Sequence, residues 1–324
     1  MIRLEAESIG EGSLVLLTNP MFRGLTHSVF RNAINILSAN QELVTILAIP
    51  DRAPWAVNVP GTRLDSFAIR PQDGVSVEEK ILVIGSQIVI DFHRADSWRM
   101  PGLDCHHARP STNSILENLD SISSILAEKG PREGFGDFVN RETWELTKGR
   151  ANAFARFAKP YADRLVEGIV DGRIDMIQES SAPLVGLGIG STPSGDDFLS
   201  GLMLGFRYAT QHISGGANAF AKLVCETILR VVEGQTNPIS ENQIRYAAHG
   251  LTAKSIFGLV AALLGHEEGL IPRAKEVMEK GATSGEDITV GIVRGIYAAV
   301  LQKDIDGLPT SNASPKTSYK EATV

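Results

Sequence analysis

Two short strings in this chain, ninety residues apart, share one pattern: SGDDFLSGLMLG from Ser194 to Gly205 and SGEDITVGIVRG from Ser284 to Gly295. Ser194, Gly195, Asp197, Gly201 and Gly205 correspond to Ser284, Gly285, Asp287, Gly291 and Gly295, and Asp196 is matched by the acidic Glu286. In the first string the serine reads as a helix N-cap, and the aspartate three residues on as a carboxylate version of the capping box. The repeat gives the second string a related helix start. Glycines one turn apart then leave a strip without Cβ atoms on each helix. Glycine inside a helix costs about 1 kcal/mol against alanine, so the strips need a packing or binding reason. The repeat predicts two related helix starts whose glycine faces pack together, or against equivalent partners, and bring both acidic starts to one cleft.

The first string is preceded by GLGIG, Gly186 to Gly190, where three alternating glycines let the backbone turn sharply and something approach it closely. A glycine-rich loop opening a helix is a ready anion site, since free N–H groups and the helix dipole face the ligand. Asp196 and Asp197 stand where a phosphate would go. Either the carboxylates use the dipole themselves, as caps of a tightly packed helix pair, or a cation such as Mg²⁺ on Asp196 and Asp197 bridges to an anionic ligand. Both readings stay open on these residues. No Gly-Lys-Ser/Thr follows, which excludes a Walker loop. No convincing strand precedes the glycines and their spacing is wrong for a dinucleotide fingerprint.

Around this segment the 324 residues divide in two by period. Up to Phe92, short β-branched runs bounded by Pro, Gly, Asn or Asp predict strands: Ser13–Asn19, Glu42–Ala48, Trp55–Val59 and a hairpin over Ile81–Phe92 that turns at Gly85. One early helix is predicted in THSVFRNAINILSAN, from the spacing of Val29, Phe30, Ala33, Ile34 and Leu37. From about Asn113 the period becomes helical, with helices expected over 113–130, 140–158, 160–170, 195–212, 217–233, 240–250, 252–265, 272–280 and 285–302, and no strand after Phe92. The expected fold is α+β: a β-rich domain over 1–105, an all-helical domain over 106–303 that holds the glycine and aspartate site, and a polar, disordered tail over 304–324.

Charge and hydropathy narrow the function. The net charge of −7, with no Lys/Arg cluster, argues against nucleic acid or an anionic membrane as partner. The longest apolar run, Ile256 to Gly265, is half of a membrane span. The opening MIRLEAESIGEG has acids where a signal peptide is basic and then greasy, and two cysteines make no disulfide framework, so the cytoplasm is expected.

Taken together, GLGIGSTPSGDDFLSG, the later SGED, TNPIS at Thr236–Ser240 and THSVF at Thr26–Phe30 resemble the AllH-like family, from about Leu14 to Leu301. One branch of that family is a subunit of oxamate carbamoyltransferase in bacterial allantoin breakdown. The resemblance implies carbamoyl transfer between phosphate and an amide-like acceptor, alongside two other subunit types, with oxalurate phosphorolysed to oxamate and carbamoyl phosphate in the breakdown direction. Such small anionic substrates suit backbone N–H groups around Gly188, Gly190, Gly195 and Gly285 and the hydroxyls of Ser191, Thr192, Ser194 and Ser284. Thr236 and Asn237 are expected to line the cleft, Arg245 to supply positive charge, and Asp197, Asp287 and His27 to carry the chemistry. Two rivals stand beside this reading. One is a non-catalytic module that binds a small anionic metabolite or a partner subunit without metal. The other is a stand-alone enzyme of unassigned reaction. A homo-oligomer is compatible with each.

Other residues carry duller expectations. Cys105-His106-His107 lacks metal-ligand spacing and reads as a loop. His249 suits a helix C-terminus, Ser240 with Gln243 reads as a capping box, Trp98 as packing between domains, and Cys225 as core.

Overall fold

The structure is a computed structural model that describes residues 1–103, 111–128, 133–136, 152–214 and 218–302. In chain order, β1 (Ile2–Glu5) and β2 (Ser8–Gly10) lead into α1 (Glu11–Leu17). There follow β3 (Arg23–Val29), β4 (Ala33–Ser38), β5 (Leu43–Leu47), β6 (Ala56–Asn58), β7 (Gly74–Glu78), β8 (Ile81–Ile84), β9 (Ile88–Asp91) and β10 (Asp96–Trp98). They make one ten-stranded mixed sheet in the order β1-β9-β8-β7-β3-β4-β5-β6-β2-β10. The remaining elements are helices: α2 (Thr112–Glu128), α3 (Ala153–Val170), α4 (Ile174–Ser181), α5 (Ser194–Ser214), α6 (Ala219–Val232), α7 (Pro238–Ala248), α8 (Lys254–Leu263), α9 (Leu270–Met278) and α10 (Ser284–Leu301). The α+β expectation holds. The expected boundary at 105/106, the 304–324 tail and Cys105-His106-His107 lie outside the described residues.

Two apolar clusters explain this arrangement and where the period misleads. Ile34, Ile36, Val44, Ile46 and Val57 belong to the core of the sheet domain. Their neighbours Leu37, Leu43, Trp55 and Ala56 pack instead into the helical core. The strands β4, β5 and β6 are therefore buried on both faces, and a strand of that kind reads as a nearly continuous apolar run rather than an alternating one. This corrects the early helix: THSVFRNAINILSAN is the antiparallel pair β3–β4, closed by a turn in which the Phe30 N–H donates to the Ala33 carbonyl at 2.8 Å. The strand expected over Ser13–Asn19 is also corrected. Its leucines wind into α1, with Ser13 and Leu17 buried one turn apart and Val15 facing out. The short β10 lies after Phe92, where no strand was expected, and α4 was missed. Of the helix expected over 140–158, residues 140–151 lie outside the described residues; its end and the helix expected over 160–170 form one element, since α3 runs through Pro160. The Gly85 hairpin is as expected, with φ +52° at Gly85.

In the helical domain no pair of elements touches more extensively than α5 and α10. A Cβ built on Gly201 would fall on the Ile288 carbonyl, and one on Gly205 on that of Ile292. On the other helix, Gly291 meets the Phe198 carbonyl and Gly295 that of Leu202. The contacts advance together along both helices, so α5 and α10 lie parallel, related by an approximate two-fold. Their first turns sit side by side. Replacing glycine by alanine in a helix normally stabilises by up to about 1 kcal/mol. Here Gly201→Ala or Gly291→Ala is expected to destabilise by about 3 kcal/mol, because backbone cannot yield as a side chain does. Urea unfolding of the two variants reads the sign.

Candidate functional site

The site begins with how the two helix starts are built. At the first, the Pro193 carbonyl accepts from the N–H groups of Asp196 and Asp197; at the second, the Thr283 carbonyl accepts from Glu286 and Asp287. Gly195 and Gly285 bring their backbones against the carbonyls of Leu184 and Val277, where a Cβ could not fit. Gly186, Gly188 and Gly190 all have positive φ, of +68°, +125° and +99°. The expected sharp turning of that loop is therefore real.

The acidic side chains then depart from the capping pattern. The hydroxyls of Ser284 and Thr192, the former from the other helix start, lie by the Asp197 carboxyl and favour its charged form. Ser194, again across the pair, and Thr283 lie by the Asp287 carboxyl and favour its charged form. The serines and aspartates are thus exchanged between helices instead of closing boxes within one. The hydroxyls of Thr192 and Ser284 lie 2.7 Å apart, which ties the glycine loop to the second start. The two corners meet, as the repeat predicts.

Burial sets the electrostatics. Asp197 and Asp287 are 3 % and 0 % exposed, and one carboxyl oxygen of each has no hydrogen-bond partner among the described residues. Loss of water drives Asp197 well above the usual carboxylate range, and the neighbouring Asp287 charge adds to the rise. Desolvation pushes Asp287 up to about 6, opposed by the Phe135 N–H, which donates to it at 2.5 Å. Asp196 is raised more mildly by burial; it accepts from the Gly186 N–H at 2.8 Å and from the Thr236 hydroxyl at 2.5 Å. Its two oxygens are therefore engaged with the loop and with the approach to α7, which is a poor start for a metal shared with Asp197. Among the described residues no group of three or more His, Cys, Asp or Glu side chains is placed to hold a metal ion.

The rim above these carboxyls is Gly188 to Thr192 with Ser284; Ile189, Gly190 and Ser191 are exposed, Gly188, Thr192 and Ser284 half-buried. Both corners and the rim are built from one continuous region. A family model described as oxamate carbamoyltransferase subunit AllH matches residues 184–296, and one described as the AllH family N-terminal domain matches residues 5–97. The chain belongs to the AllH family. No solved structure matches it.

Three expected site residues stand apart from the AllH corner pair. His27 is not at a helix start but at a β-bulge in β3, where the register skips it between Thr26 and Ser28; its ring nitrogen lies 3.4 Å from the Ser28 hydroxyl. Arg245 is ion-paired with Glu241 at 2.9 Å on α7 and faces a different opening. Asn237 is the N-cap of α7, accepting from the N–H groups of Ile239 and Ser240, so the capping box expected from Ser240 and Gln243 is corrected. The buried Ser240 hydroxyl makes no hydrogen bond among the described residues. Cys225 is core, and burial pushes its thiol up to about 12. Sequence reasoning missed Gly134-Phe135-Gly136, whose backbone covers the second corner, and Asp51. The latter reaches from the sheet domain to the Ser255 hydroxyl at 2.9 Å and to Lys280 at 2.5 Å, just before that corner. A glycine-flanked aromatic was the available signal for the first; nothing marks Asp51.

Because the folded-state pKa of Asp287 is raised, its contribution to stability is complete below the unfolded value near 3.8. It is lost as pH rises through about 6, where the folded state must also give up the proton. Two units correspond to roughly 3 kcal/mol. Asp287→Asn retains an acceptor for Phe135, so urea denaturation between about pH 4 and pH 7 is expected to show a flattened fall and a more stable variant at the upper end.

Proposed function

We propose that this AllH-family chain supplies a small-anion site to a carbamoyltransferase-type assembly, with oxamate or oxalurate and carbamoyl phosphate as its ligands. The observation that carries the reading is the meeting of the two corners, with Asp197 and Asp287 buried side by side, an oxygen of each unpartnered among the described residues, and Thr192 joined to Ser284 at 2.7 Å in the rim above them. Charged carboxylates repel an anion, and the burial that favours the neutral form of Asp197 lessens that repulsion. Two parallel helix starts add a favourable potential for negative charge at the rim. Asp196, fully engaged by the loop and Thr236, is a positioning residue in this reading.

In carbamoyl transfer from oxalurate to phosphate, a phosphate oxygen adds to the ureido carbonyl carbon. The bond from that carbon to the oxamate nitrogen then breaks, and the nitrogen takes up one proton. Asp197 supplies that proton through the Thr192 and Ser284 hydroxyls, each a donor and an acceptor, and takes up in its place the proton that the attacking hydrogenphosphate gives up. The matched family description names a subunit, and the reading accordingly takes the chain as one member of a larger assembly. Asp197→Asn is expected to lower turnover of the reconstituted complex by about 100-fold or more while the unfolding curve stays cooperative. Thr192→Val with Ser284→Ala is expected to weaken carbamoyl phosphate binding about tenfold by calorimetry. Full turnover by Asp197→Asn removes that residue from the site.

A further inference from the structure

A second opening, separate from the corner pair, lies where the sheet domain meets α7. It has a volume of about 760 Å³ and draws its walls from α1, the turn at 40–42, the segment after β10 and one stripe of α7. Its acidic groups already have partners. Glu11 accepts from the Arg99 Nε at 2.9 Å, Glu241 from Arg245 at 2.9 Å, and Glu42 from the Ser38 hydroxyl at 3.1 Å. Its donors are not used up. The Tyr246 hydroxyl makes no hydrogen bond among the described residues, although the ring is held against Trp55 with centroids 4.9 Å apart. His249 gives Nδ1 to the Arg245 carbonyl at 2.8 Å, which leaves Nε2 open. Arg245 bonds Glu241 through Nη2, while Nη1 has only Glu233 at 3.9 Å.

Donors with unused capacity among the described residues line this cavity together with apolar surface from Val15, Trp98 and Met100. Ligand sites at domain junctions have this composition: mostly apolar lining with a few convergent polar groups. We propose that this cavity binds a small organic carboxylate with a flat or aliphatic apolar body. The carboxylate is received by Arg245, His249 and Tyr246, and the body lies against Val15, Trp98 and Met100. An arginine guanidinium with an open edge is well suited to a planar carboxylate. A ligand without charge would leave the arginine's open edge unpaired, and one without a body would leave the apolar walls wet. Both halves are therefore required.

The test uses 3-phenylpropionate as the probe on the full chain, with 3-phenylpropanamide and acetate as comparisons, by calorimetry and tryptophan fluorescence. Saturable binding of the acid near ~1 mM is expected for a ligand of this size. Neither comparison should saturate below ~10 mM. Arg245→Gln and, independently, Tyr246→Phe should each weaken the acid several-fold, and Asp197→Asn should leave it unchanged. That last variant separates this site from the corner pair, because a change at the corner that lowers turnover would not move the probe. Absence of saturable binding by the acid, equal binding of the amide, or unchanged affinity in both cavity variants overturns the proposal.

Discussion

Backbone lying directly on backbone, along the shared glycine strips of α5 and α10, is the contact from which the rest of the helical domain is organised. A side chain at any of the four crossing points would hold the helices apart. Once they close, their first turns are forced together, because the contact runs in parallel from its beginning. Parallel neighbours place two positive dipole ends at one spot, an arrangement that calls for negative partners. The acidic residues at both starts meet that demand from within the chain.

Meeting it with buried groups changes their chemistry. A carboxylate in water would screen the helix ends and remain charged. Beneath Thr192, Ser284 and the Phe135 backbone, Asp197 and Asp287 lose most of their hydration, and the neutral form gains. Among the described residues the same enclosure leaves an oxygen of each without a partner, a cost that ordinary folding avoids. Such residual demand, located below an exposed rim, is the physical basis for reading the region as a site rather than as a well-made joint alone.

How much of this was legible follows from what each residue is for. The glycine and aspartate repeat could be read directly, because no other side chain does the work of glycine where carbonyls touch. The crossing of Ser194 to Asp287 and of Ser284 to Asp197 could not, since serine and aspartate at that spacing look the same whether they bond within a helix or between two. The β3–β4 hairpin was misread for a related reason. Leu37 serves one core and Ile36 the other, so the alternation that marks a strand is filled in. Asp51 was invisible because its partners are more than 200 residues away and it belongs to no local pattern, and the glycines that flank Phe135 mark a close approach without naming a partner 152 residues on.

The exchanged serine–aspartate pairing and the Thr192–Ser284 hydrogen bond also make the two corners mechanically interdependent. Each aspartate is steadied by a hydroxyl on the other helix, so neither first turn can fray alone without stranding a buried acid in its neighbour. Local opening in this part of the molecule is an all-or-nothing event, like undoing a buckle rather than pulling out a thread. Sequence change is constrained in the same way: a tolerated alteration at one corner calls for an answering alteration at its counterpart.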